Sequence, residues 1–226
     1  RHKHKPIRHT RISRRDELQC KSAMRLLLTF LCSDTSASVG TGNDRAVNYE
    51  MHYPIVYTEN AVAQNKINSD LYRYIEKFRI DYRNGEFIDG KFTYELRFEN
   101  ADYVSLILHD YRWRGGVHGH TIHTGLVYNK HSGEKVPLRY FIHLVNEDFS
   151  TLFDFPLYNE KNKFLNIKSR VPYRECDHTI PDDYFLSGNG TVSLIFQEYQ
   201  RAAFFEGMTY TPIEPKWIDY FNRKNP

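Results

Sequence analysis

The sequence predicts an α+β fold in which an antiparallel β-meander sheet carries helices packed on one face. The first observation is a series of segments in which apolar and polar residues alternate, at residues 91–99, 103–113 and 121–130, as in half-buried strands. The second is a helical period that precedes them, in residues 60–78. The third is the glycine, asparagine and aspartate residues between the strand segments, which favour short antiparallel connections.

The first half of the domain begins with a strand predicted over residues 47–57, because apolar side chains occupy every second position there. Pro54 interrupts this pattern, since proline cannot donate a hydrogen bond to a sheet. Asn60 opens the predicted helix, which continues to about Phe78. Its apolar face consists of residues at steps of three and four: Ala63, Ile67, Leu71, Tyr74, Ile75 and Phe78.

The second half is predicted to return to short elements after the meander. Residues 148–155 predict a second helix. Residues 183–186 and 191–196 read as a hairpin around a Ser-Gly-Asn-Gly turn, and residues 208–212 as a last strand. Residues 214–221 predict a terminal helix, with proline close to its start.

Charge and composition divide the chain into three parts. Residues 1–25 hold nine Lys and Arg against two acidic residues, whereas residues 41–226 have a net charge of −3. We interpret residues 1–23 as a basic disordered arm, or as upstream sequence that is not natural protein if the chain starts at Met24. Residues 24–42 then resemble a signal peptide and linker, with a charged start, an apolar run and small residues. Residues 43–226 form a single domain.

Composition also excludes several classes of function. The 40% hydrophobic content, with 17 Tyr and 15 Phe, is enough for a buried core and too aromatic for a disordered chain. No stretch approaches the roughly 20 apolar residues of a transmembrane helix. The mildly acidic domain argues against a nucleic-acid-binding surface. The three cysteines (Cys20, Cys32 and Cys176) predict neither a disulfide framework nor a zinc site.

The densest motif lies between the second and third meander strands, in residues 111–128. Three glycines (Gly115, Gly116 and Gly119) and three histidines (His118, His120 and His123) fall within nine residues there. Glycines between strands indicate a tight or bulged connection that needs positive φ or close backbone approach. We expect His118 to form a hydrogen bond across this turn.

The histidines also suggest a metal or acid–base site, which would make the domain an enzyme. His118 and His120 share one face of a strand, while His123 points to the other face. Zinc needs three converging ligands, so the spacing favours turn histidines, with no metal and no other cofactor. The alternative interpretation is that the domain is an enzyme that modifies envelope polysaccharides and uses this region as its metal or acid–base site.

Two further sets of residues could support hydrolysis. Ser105, His109 and Asp110 are close in sequence, but catalytic triads are assembled in space, and no nucleophile elbow is present. Cys176 and His178 share a loop and form a weak candidate for a thiol nucleophile. We therefore predict no catalytic residue and a non-enzymatic domain.

The aromatic residues of the same region allow two interpretations. Tyr103, Tyr111, Trp113, Tyr128 and Tyr140 could form a binding face for carbohydrate or protein, because such interfaces are rich in Tyr and Trp. A sheet packed on helices uses the same residues as core. For any one of them, the core is the favoured location.

Four segments of residues 48–222 together resemble an extracytoplasmic domain of unknown function. This domain is shared by the anti-sigma factor RsiV and the N-terminal part of the peptidoglycan deacetylase PdaC. Its motif Tyr-x-Tyr-x-Gly-Gly-Ala-His-Gly is similar to residues 111–119, with Trp113 and Val117 as departures. The other matches are Tyr53-Pro-Ile55 with Ala63, Ile67 and Asn68; residues 128–142; and Phe196-Gln-Glu-Tyr199 with Ala202, Ala203 and Gly207.

The resemblance implies an extracytoplasmic location, an α+β fold and a binding role. RsiV binds lysozyme, so lysozyme or a peptidoglycan component is the expected partner. Residues 24–226 contain no deacetylase module, because its Thr-Phe-Asp-Asp-Gly and His-x-x-x-His motifs are missing. The candidate binding residues come from two of the matching segments, residues 111–119 and 196–207. We refer to them as the signature residues: Tyr111, Trp113, Gly115, Gly116, His118, Gly119, Tyr199 and Gly207.

Overall fold

The computed structural model describes residues 38–226 and arranges them in two β-sheets and three α-helices. The basic arm, the signal peptide, Cys20 and Cys32 lie outside the described residues. The predicted α+β class is confirmed, and so is a meander of consecutive antiparallel strands within the first sheet.

The first sheet has five strands in the order β1-β2-β3-β4-β5. Its neighbouring strands are antiparallel except β2 and β3, which run parallel because the first helix connects them as a crossover. The strands are β1 (Val39–Ala46), β2 (Tyr49–Val56), β3 (Asp89–Glu99), β4 (Tyr103–Trp113) and β5 (His120–Asn129).

The first hairpin differs from the sequence-based prediction in two ways. β1 includes residues 39–42, which the prediction placed in a linker; its glycine-rich, polar sequence lacks the alternation that marks a strand. β2 also continues through Pro54. Val56 donates its backbone N–H to Asn68 on the side away from β1, and residue 54 faces the same side. The N–H that proline lacks is therefore not needed for pairing with β1.

Helix α1 (Ala61–Arg83) covers one face of the first sheet. The side chain of Asn60 caps it by accepting hydrogen bonds from the N–H groups of Val62 and Ala63. Five of the six predicted apolar residues are fully buried: Ala63, Ile67, Leu71, Ile75 and Phe78. They pack against sheet residues that include Met51, Phe92, Leu106 and Tyr128.

The second sheet has four antiparallel strands in the order β6-β9-β8-β7. They are β6 (Tyr158–Asn159), β7 (Tyr184–Leu186), β8 (Val192–Phe196) and β9 (Thr209–Ile213). Helices α2 (Phe149–Phe153) and α3 (Pro215–Lys224) pack against this sheet through a cluster that contains Phe149, Leu194 and Phe221. The sequence predicted most of these elements but not that they form a separate sheet.

The second sheet packs on the face of the first sheet opposite α1. A buried cluster of both sheets lies between them: Ile107, Phe185, Ile195, Met208 and Tyr210. At its edge the Ser105 hydroxyl accepts a hydrogen bond from the N–H of Leu186 at 2.9 Å. Gly125 of β5 lies so close to β7 that a Cβ there would be 2.1 Å from the carbonyl oxygen of Tyr184.

We predict that Gly125→Ala destabilises the protein by about 3 kcal/mol or more. The new methyl group would clash with the backbone of β7, which cannot move aside as a flexible side chain can. The free energy of unfolding would be measured by urea denaturation. Gly40→Ala is the control, since its new methyl group would meet the end of the Tyr57 side chain at 3.1 Å. Equal stability of the Gly125→Ala variant and the wild type would contradict this account of the sheet packing.

Candidate functional site

Residues 114–119 connect β4 to β5 and contain the glycine pair of the signature. Gly115 and Gly116 have φ of 94° and 104°, values that L side chains rarely adopt. The indole N–H of Trp113 donates to the carbonyl of Gly116 at 3.2 Å. The glycines therefore allow the chain to reverse at the end of a long hairpin.

Gly119 serves the same turn by close approach. A Cβ at Gly119 would lie 2.6 Å from two ring carbons of Tyr111, so that ring packs directly on the glycine backbone. His118 does not form the expected hydrogen bond across the turn; its Nδ1–H donates locally to the carbonyl of Gly119 at 3.1 Å. Its ring has a different role, which is to stack.

The imidazole of His118 joins a stack of rings contributed by two distant segments. His118 stacks on Phe204 with centroids 4.1 Å apart, and Tyr199 stacks on Phe204 at 5.4 Å. His120 meets His118 edge-on at 5.1 Å, and its Nδ1–H donates to the Glu198 carboxylate at 3.3 Å. The structure thus brings the signature residues His118 and Tyr199 together through Phe204, which the sequence did not single out.

Exposed apolar side chains flank this stack. Val117 is 99% exposed, Phe205 82% and Tyr199 54%. Tyr199 also has a φ of 67°, which is uncommon for a bulky residue. We call this area the hairpin-tip surface, and it consists of Val117, His118, His120, Glu198, Tyr199, Phe204 and Phe205.

Gly207 and Arg112 fix the two segments that carry the hairpin-tip surface. Gly207, with a φ of 66°, ends the 3₁₀ helix Phe204–Glu206 that carries two residues of the surface. The residue next to Tyr111, Arg112, bonds Asp110 at 2.7 Å and the buried Asp81 of α1 at 2.6 Å. This bridge fixes the end of β4 to the helix.

The third histidine of the motif, His123, is not part of this surface. It is 2% exposed, and its Nδ1 lies 2.8 Å from Nδ1 of His109 on the neighbouring strand. Burial lowers the pKa of both rings. The pKa of His123 falls to about 3 through burial and the nearby His109; for His109, the opposing effects of Glu95 and Arg97 are secondary.

The positions of the side chains do not support the catalytic triad or the metal site that the sequence raised as alternatives. Ser105 is buried between the sheets, His109 is paired with His123, and Asp110 binds Arg112 on the opposite face of β4, so these three residues do not form a triad. Within residues 38–226 no three His, Cys, Asp or Glu side chains are grouped as a metal site.

The loop cysteine is also poorly placed for nucleophilic chemistry. Burial raises the pKa of the Cys176 thiol, which disfavours the reactive thiolate. His178 interacts with Tyr173, stacking on its ring at 4.4 Å and bonding its carbonyl at 2.8 Å. His178 therefore contacts Tyr173 and not Cys176, and the two residues do not form the thiolate–imidazole pair of a thiol nucleophile.

The predicted aromatic residues divide between core and surface. Tyr128 is fully buried, and Tyr103 packs partly buried against Phe141. Tyr140 is exposed, whereas Tyr111 and Trp113 are partly exposed beside the hairpin turn. Among the described residues, no helix is long and apolar enough to cross a membrane.

We predict that Gly116→Val lowers the free energy of unfolding by about 1–3 kcal/mol, the cost of an unfavourable φ for an L residue. Thermal unfolding would measure the change. Val117→Ala is the matched control, because its exposed neighbouring side chain should contribute less than about 0.5 kcal/mol. An unchanged melting temperature for Gly116→Val would show that the turn tolerates a side chain there.

We also predict an acid-sensitive stability caused by the two buried histidines. Their pKa values are lowered in the folded state, so below about pH 6.5 the unfolded chain binds protons that the native protein does not. Above that pH the histidines contribute no pH dependence. Between about pH 6.5 and 5 the free energy of unfolding should fall by up to about 1.4 kcal/mol per pH unit for each histidine.

Urea denaturation across this pH range would measure the loss, and NMR of the imidazole rings would test its cause. The His123 ring should stay neutral in the native protein down to pH 5. Titration of that ring near pH 6.5 would rule out the proposed cause.

Comparisons with known proteins concern the fold. No protein-family model and no curated protein matches the sequence. A crystal structure of a DUF3298 family member from Bacteroides fragilis matches with a TM-score of 0.57 and 10% identity, over 81% of this chain and 91% of that chain. A DUF3298 family protein from Pseudomonas aeruginosa matches with a TM-score of 0.51 and 10% identity, over 80% and 90%. The chain therefore has the α+β fold found in DUF3298 family proteins.

Proposed function

We propose that this domain is an extracytoplasmic, non-catalytic binding domain that recognises lysozyme or another component of the cell envelope through the hairpin-tip surface. The observation that carries the proposal is the stack of His118, Phe204 and Tyr199. It joins two signature segments that lie far apart in the sequence and presents exposed apolar side chains beside them.

The composition of the hairpin-tip surface suits a protein partner. Aromatic residues are enriched at the energetically important centres of protein interfaces, and Tyr199 and Phe205 supply two here. Stacking contacts with His118 and Tyr199 hold Phe204 in place, which lowers the conformational entropy lost on binding. Val117 is exposed at the turn and adds apolar area to this surface.

Charge favours a cationic partner such as lysozyme, although weakly. Nine of the 31 basic residues and three of the 28 acidic residues precede Ser38, which leaves the described domain with 22 basic and 25 acidic residues. Such a balance affects the rate of association more than its strength. The choice of lysozyme itself rests on the sequence resemblance to the RsiV domain, and the extracytoplasmic location rests on the same resemblance.

The non-catalytic character is supported by how the polar side chains are used. The rings of His118 and His120 are engaged in stacking and in the contact with Glu198. A general base needs to reach the proton of a substrate. These histidines instead support the aromatic surface, which favours binding over chemistry.

We expect the full chain to bind hen lysozyme in a calorimetric titration and to inhibit lysis of bacterial cell walls in parallel. Replacing both Tyr199 and Phe205 by alanine should weaken binding at least tenfold, or by about 1.4 kcal/mol. The matched control is Val62→Ala, which removes an exposed apolar side chain from the first turn of α1, at the end of the first sheet opposite the hairpin-tip surface.

Three outcomes would contradict parts of this proposal. An absence of heat at micromolar concentrations would exclude lysozyme as the partner. Equal losses in the double variant and in Val62→Ala would exclude the hairpin-tip surface as the contact. Loss of binding on addition of a chelator, together with loss in His118→Ala, would favour the metal-dependent alternative.

A further inference from the structure

A groove beside the histidine pair has a floor made of polar side chains from three adjacent strands. Thr93, His109 and His123 form one row across β3, β4 and β5, and a second row runs parallel to it. This second row consists of Lys91, Tyr111 and Thr121. Both rows lie on the face that the second sheet covers farther along, at Ile107 and Gly125.

The turn after β6 forms a wall of this groove with Glu160 and Lys161. The side chain of Asn159 orders the turn, because its oxygen accepts hydrogen bonds from the N–H groups of Lys161 and Lys163. Its amide nitrogen donates to the buried Glu206 at 2.7 Å. The cavity has a volume of about 440 Å³, within the range of small-molecule sites. The groove thus has a sheet for its floor and an ordered turn for its wall.

The charges of the groove favour an anion. Within residues 38–226, Lys91 and Lys161 form no ion pair, so both ammonium groups are free for a ligand. The carboxylate of Glu95 is already neutralised by Arg97 at 2.6 Å. Among the described residues Glu160 forms no ion pair, and Glu50, which lies beside Lys91 on β2, bonds His52 at 3.0 Å. The two lysines therefore give an anionic ligand two charged donors.

The histidine pair adds a directed donor to these charges. Nε2 of His123 is buried and has no hydrogen-bond partner among the described residues. A buried N–H without a partner is rarer than a buried acceptor without one. We therefore assign His123 the tautomer in which Nε2 carries no proton. His123 then donates from Nδ1 to Nδ1 of His109, and the proton of His109 lies on Nε2, the nitrogen left for a ligand.

We propose that this groove binds a small carboxylated sugar. The charged ammonium groups of Lys91 and Lys161 hold the carboxylate, since charged N–H donors suit an oxyanion. The neutral Nε2–H of His109 adds a third hydrogen bond to it. The hydroxyls of Thr93 and Thr121 can donate and accept hydrogen bonds, and the carboxylate of Glu160 accepts them. Sugar hydroxyl groups donate and accept, and they match this mixture. The site uses no residue of the hairpin-tip surface and stands independently of the proposed lysozyme binding.

The test compares two sugars that differ at one carbon, glucuronate and glucose, titrated into the full chain and followed by NMR of the backbone amides. We expect saturable shifts at Thr93, His109 and Thr121 with glucuronate at millimolar concentrations, and weaker, non-saturating shifts with glucose. Acetate serves as the probe of the carboxylate alone, and it should bind more weakly than glucuronate.

The lysines provide the matched variants. Lys91→Gln and Lys161→Gln should each weaken glucuronate binding about fivefold, as expected for one partly exposed ion pair. Lys216→Gln removes the same charge from an exposed residue of α3 outside the groove and should leave binding unchanged. All three positions are on the surface, so the fold should be kept, which thermal unfolding would verify.

Several results would overturn the inference. No saturable shift with glucuronate, or equal binding of glucuronate and glucose, would exclude a site for carboxylated sugars. Equal binding of acetate and glucuronate would exclude recognition of the sugar. Equal weakening in Lys216→Gln and the groove variants would reduce the effect to overall charge.

Discussion

The close contact between Gly125 and the backbone of Tyr184 is the constraint on which the arrangement of the two sheets depends. It brings β7 against β4 and β5, where the Ser105 hydroxyl accepts a hydrogen bond from the N–H of Leu186 and Ile107 packs on Phe185. A residue with a side chain at position 125 would push the second sheet outward. The buried cluster between the sheets would then lose contact, because van der Waals attraction falls steeply with separation.

The second sheet covers only part of this face of the first sheet. β4 and β5 extend beyond the second sheet. The face of these strands that the second sheet covers is apolar, and the part of the same face that faces solvent is polar. Ile107 and Gly125 belong to the covered part, and Tyr111 and Thr121 to the open part. A sheet surface left in contact with water needs polar side chains. The groove and the protruding hairpin tip are both consequences of this unequal length.

The sequence contained enough information for the elements whose pattern is regular. The bounds of β4 were predicted correctly, and α1 was recognised by its buried positions, because one apolar face at steps of three and four indicates a helix. β1 was missed, since its residues are glycine-rich and polar. The division into two sheets was missed for a different reason: periodicity reports which side of a strand is buried but not which strand it pairs with.

The residues of the proposed site show the same limit, with one exception. Phe204 joins His118 to Tyr199 across the fold, and no local pattern indicates that contact. The pair His109 and His123, by contrast, could have been found. Both strands and the glycine turn were recognised, and the two histidines lie at equal distances, seven residues, on either side of Gly116. In an antiparallel hairpin centred on that glycine they must face each other, and the observed register places them opposite. A hairpin register, once its turn is located, therefore predicts side-chain pairs that the spacing of residues along a single strand does not.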